Sequence, residues 1–79
     1  MPRVVIRSWT PGLRKVSLVH LLQENAGLSL TAAKKKVDDL LLGEIITIEV
    51  ESESQALRLR SEIRSLGGIC EVREDNRGD

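Results

Sequence analysis

The stretch Leu13–Val37, LRKVSLVHLLQENAGLSLTAAKKKV, restricts the fold most, because it carries two apolar helical patterns divided at one glycine. Steps of about 100° per residue gather Leu18, Val19, Leu21, Leu22 and Ala26 into one broad stripe, which predicts a first helix over Leu13–Asn25. Gly27 is placed to end that helix in a left-handed conformation, with Leu28 as the closing apolar contact. Ser29 then offers an N-cap for a second helix over Leu30–Leu42, whose stripe is Leu30, Ala33, Val37, Leu40 and Leu41. Gly43 supplies the stop.

Two features of this pair do not serve a core. Val16 falls outside the first stripe, among His20, Gln23 and Glu24. Lys34-Lys35-Lys36 fans out on a helix, with Lys34 and Lys36 at the two edges of the stripe and Lys35 in solvent, so it forms no coherent phosphate site. These lysines precede Asp38 and Asp39, an order that opposes the helix dipole and costs a few tenths of a kcal/mol per charge. Basic residues kept where the helix gains least from them point to a partner.

The flanking segments read as a scaffold. Arg3–Arg7 is short and β-branched, which predicts a first strand, and Trp9-Thr10-Pro11-Gly12 is turn material with Trp9 capping one end of the core. Glu44–Glu51 alternates as a strand, with Ile46, Ile48 and Val50 on one face. Ser52-Glu53-Ser54-Gln55 has the form of a capping box and opens a third helix to Leu66 that buries Ala56, Leu59, Ile63 and Leu66. Leu57 lies off that stripe. After Gly67-Gly68, Ile69–Arg73 forms a last strand with Cys70 as a small buried hydrophobe, and residues 74–79 are expected to fray. The order β-α-α-β-α-β predicts an α+β domain over residues 1–79: two layers, a three-stranded sheet covered on one face by three helices.

Composition excludes several function classes. With 12 basic and 12 acidic residues the net charge is zero, so no global field draws the chain to nucleic acid or an anionic membrane. Trp9 is the sole aromatic, which leaves no platform for stacking bases. One cysteine and one histidine allow no intrachain disulfide and no expected metal cluster, and neither a nucleophile–base pair nor a phosphate-binding glycine loop is present. No cofactor or enzymatic activity is expected. Neither a signal-peptide core nor a long apolar span is present, which reads as a cytoplasmic domain.

The element order and the Leu13–Asp38 stretch resemble the C-terminal domain of the bacterial large-subunit ribosomal stalk protein. In that family a K-V-x-V-I-K-x-x-R segment leads without gaps into G-L-x-L-x-x-A-K-x-x-V-E. The matching positions are Lys15, Val16, Leu18 and Val19, then Gly27, Leu28, Leu30, Ala33, Lys34, Val37 and Asp38. Gln55-Ala56-Leu57 through Leu66–Val72 is similar to the family's ending, so the resemblance spans roughly residues 4 to 73. It implies a non-enzymatic domain that recruits translational GTPases through a basic and aliphatic surface on its first two helices. Lys15, Val16, Val19 and Lys34 match that surface, with His20 at a position where the family carries lysine. Gln23 and Thr31 also stand where the family is basic, so three positive positions are weakened or lost. The family's N-terminal dimerisation segment and Ala-rich hinge are missing, which implies a stand-alone relative rather than a stalk subunit.

A second family of this architecture is the adaptor that presents N-degron substrates to the Clp protease, and Trp9-Thr10-Pro11 is similar to its Y-T-P turn. Its acidic N-D-D loop and helix-two H-x-x-G segment are missing. A further alternative is a structural, self-associating domain with Ile45 or Leu57 at the contact.

Overall fold

The structure, a computed structural model, describes residues 2–74. Its elements run β1 (Pro2–Trp9), α1 (Lys15–Ala26), α2 (Leu30–Leu41), β2 (Ile46–Glu49), α3 (Glu53–Ser65) and β3 (Gly68–Glu74). This is the α+β order expected from the sequence. The sheet is antiparallel with order β2-β1-β3, so the N-terminal strand lies at its centre.

Register shows how the alternation builds the core. Ile48, Val4 and Val72 form one row across the sheet, and Ile46, Ile6 and Cys70 form the next. Val4, Ile6, Ile46, Ile48 and Cys70 are buried in one cluster with Leu18 and Leu22 of α1, Val37 and Leu40 of α2, and Leu59 and Ile63 of α3. α2 packs on β1 and β2, α3 packs on β1 and β3, and α1 rests on both of those helices. No helix among the described residues is long and apolar enough to cross a membrane.

Several element ends differ from expectation for local reasons. β1 runs on to Trp9 because β3 continues alongside it past an irregularity between Ile6 and Ser8, which brings Trp9 opposite Gly68. α1 begins at Lys15 rather than Leu13, since the Leu13 N–H bonds the Thr10 carbonyl and the Arg14 N–H bonds Leu66. β2 is shorter than the alternating run, and only the Val50 N–H, bonded to the Pro2 carbonyl at 3.2 Å, prolongs its pairing. Leu30, expected in the core, is 53% exposed. A helical projection gives angle and not axial position, and the turn from Ser29 to Thr31 lies at an exposed end of α2. Glu74, expected to fray, is the last residue of β3, while residues 75–79 of the expected tail lie outside the described residues.

The caps follow the sequence closely. Gly27 has φ 66°, the left-handed conformation that ends α1 without a Cβ penalty. Ser29 Oγ accepts from the Ala32 N–H at 3.1 Å, and Ser52 Oγ from the Gln55 N–H at 3.1 Å. The return arm of the capping box shifts by one residue, with Gln55 Oε1 accepting from the Glu51 N–H. Gln55 Nε2 also donates to the Asn25 carbonyl at 2.7 Å, tying the start of α3 to the end of α1. Trp9 closes α2, donating from its indole N–H to the Leu40 carbonyl at 3.1 Å while staying 37% exposed.

On the face of the sheet opposite the core, Glu71 accepts from Arg7 Nη2 at 2.7 Å and from Arg73 Nη1 at 3.1 Å. Val5 sits between Thr47 and Glu71 in register and is only 8% exposed. The hydrogen bonds from Arg7 and then Arg73 hold the Glu71 carboxyl below its ordinary pKa. A depressed folded-state pKa means the pair stabilises the fold above the unfolded carboxylate range and loses that effect as pH falls through the depressed value. Arg7→Ala is expected to move the Glu71 titration upward in an NMR pH series. An unmoved titration would show that Arg7 does not hold it.

Candidate functional site

α1 and α2 leave between them a shallow groove of about 210 Å³. Its walls come from two helical ladders. Lys15, Val16 and Val19 line it from α1, and Lys34, Val37, Asp38 and Leu41 line it from α2. The second set follows i, i+3, i+4, i+7, the spacing that keeps residues on one helix face. Val37 is buried and Leu41 half-buried, so they form the floor. Val16 stands at the rim, 71% exposed.

Charge in the groove is mixed but tilts positive, with Lys15 and Lys34 against Asp38. Neither lysine makes an ion pair among the described residues, whereas Lys35, on the outer side of α2, reaches Asp39 at 3.7 Å. The start of α1 adds to the positive character. Arg14 occupies the N-cap position without a side-chain cap, no acidic residue lies in the first turn, and Lys15 follows directly. Unpaired N–H groups and a cation at a helix N-terminus repel each other and attract an anion from outside.

The structure thus brings together four of the five residues singled out in the sequence. His20 is the exception. It lies in a separate groove between α1 and α3, of about 360 Å³, beside Glu24 and Glu62 and over Leu21 and Leu66. At about 100° per residue His20 lies about 40° from Val16 but about 100° from Val19 in projection, and it joins the wall that faces α3. Thr31 lies in an adjoining concavity that shares Lys34 and Asp38 with the groove and adds Lys35 and Asp39.

Val37, Asp38 and Leu41 join the site although the sequence placed Val37 and Leu41 in the core stripe and left Asp38 outside the proposed contact. The spacing from Lys34 was the available signal. Ile45 and Leu57, the alternative contact residues, are 56% and 47% exposed and lie outside this groove. Cys70 is buried, and its Sγ lies 3.6 Å from the Arg60 carbonyl. Burial raises the thiol pKa against the opposing charges of Arg64 and Arg60, which disfavours the reactive thiolate.

No protein-family model matches the chain, and no curated protein matches it. The geometry of the α1–α2 groove therefore carries the functional reading.

Proposed function

We propose that this chain is a non-enzymatic protein-interaction domain that docks an acidic segment of a protein partner in the α1–α2 groove. The observation that carries the reading is Val16, exposed above an apolar floor beside two lysines that make no ion pair among the described residues. An apolar contact rimmed by charge suits a transient interface, in which the valine supplies buried area and the lysines steer and orient the partner. The resemblance to the ribosomal stalk C-terminal domain makes a translational GTPase the first partner to test. In this arrangement Lys15 and Lys34 supply the positive charge, and His20 lines the neighbouring groove between α1 and α3.

Val16→Asp combined with Lys34→Glu removes the apolar contact and reverses one charge without touching the buried core. Burying one valine side chain stabilises a contact by about 1.5 kcal/mol, and each 1.4 kcal/mol is tenfold in affinity. Binding to a translational GTPase, measured by calorimetry, is expected to weaken by at least about tenfold while the circular dichroism spectrum stays unchanged. Equal binding by the double variant and the parent chain would overturn the site.

A further inference from the structure

Thr47, Ile48 and Glu49 of β2 all line one groove of about 470 Å³, with Arg3 of β1, the register partner of Glu49, reaching it as well. A strand sends successive side chains to opposite faces of its sheet. Ile48 belongs to the core cluster, whereas Thr47 and Glu49 alternate with it toward the other face. A cavity that touches all three residues therefore runs beside the strand, along a hydrogen-bonding edge. β1 occupies one edge of β2, so the groove follows the other. Among the described residues, the backbone of residues 46–49 makes no hydrogen bond outside its pairing with β1.

Such an edge offers donors and acceptors at strand spacing and is a template for one more strand. The groove beside it is not uniform. Ala26 and Leu28, both half-buried, supply an apolar wall where α1 turns into α2. Lys36 projects from α2 into the same groove, half-buried and without an ion pair among the described residues. The charged lining is Lys36 and Arg3 against Glu49, a balance that favours a carboxylate on whatever covers the edge.

We propose that the outer edge of β2 takes an extended, acidic segment of a partner protein as a fourth strand. The segment's backbone pairs with Thr47–Glu49, one apolar side chain covers Ala26 and Leu28, and a carboxylate meets Lys36. Main-chain bonds supply the affinity and alternate side chains supply the selectivity, as in other strand additions. β2 is only four residues long, which limits the pairing to a short segment and disfavours extended aggregation. This edge shares no lining residue with the α1–α2 groove, so each site can be tested without disturbing the other.

The test is an amide NMR titration of the full chain with a capped hexapeptide of alternating glutamate and valine, set against a lysine–valine peptide of equal length. The acidic peptide is expected to shift the amides of residues 46–49 and Lys36, to slow hydrogen exchange along β2, and to leave Val16 and Lys34 unmoved. Lys36→Glu is expected to weaken the acidic peptide by about tenfold and to favour the lysine peptide. The proposal fails if millimolar acidic peptide leaves residues 46–49 unshifted, or if Lys36→Glu binds both peptides as the parent does. It also fails if those amides shift with protein concentration alone, because the edge would then be covered by a second copy of the chain.

Discussion

Gly67→Ala is expected to lower the folding stability by about 3 kcal/mol, from two effects that act at one atom. Gly67 has φ 105°, a region that residues with a Cβ rarely enter, and the conformational strain is about 1–2 kcal/mol. The added Cβ would also lie 2.9 Å from Leu13 Cα, 3.0 Å from Thr10 Oγ1 and 3.1 Å from the Leu13 nitrogen. Two of those three atoms are backbone, so relief requires the chain itself to move. That chain is held where it is: the Thr10 N–H bonds the Gly67 carbonyl at 2.8 Å and the Arg14 N–H bonds the Leu66 carbonyl at 2.9 Å.

A domain of this length has a total stability of roughly 4–12 kcal/mol, so the loss is a large share of it. Gly12→Ala is the control, because an added Cβ there meets nothing within 4 Å and its φ is not positive. Urea unfolding should separate the two variants clearly, with Gly12→Ala close to the parent or slightly more stable. Coincident midpoints would refute the account of this junction. The same junction sets where α1 begins, and therefore where Lys15 and Val16 stand over α2. Gly67→Ala is thus expected to weaken partner docking as well, although Gly67 lies outside the groove.

What was legible in the sequence was what local chemistry decides. Ser29 and Ser52 cap helices because a hydroxyl before an apolar-periodic run reaches an N–H three residues on, and both bonds form. Gly27 adopts its left-handed conformation for an equally local reason. Features that depend on long-range packing were not legible in the same way. β1 extends to Trp9 only because β3 returns beside it, a pairing more than fifty residues away in the chain. His20 and Val19 are sequence neighbours on α1, yet α3 stands on one side of that helix and α2 on the other. The open edge of β2 was invisible for the same reason, since it depends on β3 adding to the far edge of β1 and not on the residues of β2.

The contrast between Leu30 and Leu40 turns that distinction into a measurable difference. Both lie on the apolar stripe of α2, ten residues apart, and projection alone ranks them together. Leu40 is fully buried, within the cluster that includes Val37 and Ile6. Leu30 is the first residue of α2 and is 53% exposed. Truncating a buried leucine removes its transfer free energy and leaves a cavity that close-packed neighbours fill only in part, a cost of about 2–5 kcal/mol. Leu40→Ala is therefore expected to destabilise by about 3 kcal/mol, with the Trp9 hydrogen bond retained because its acceptor is the Leu40 carbonyl. Leu30→Ala should cost less than about 1 kcal/mol, since alanine is the better helix former and half of the leucine surface is already in water. Denaturant midpoints for the two variants measure the axial position of each residue along α2, the coordinate that a helical projection leaves out. Equal losses would place Leu30 in the core after all and overturn the exposed first turn of that helix.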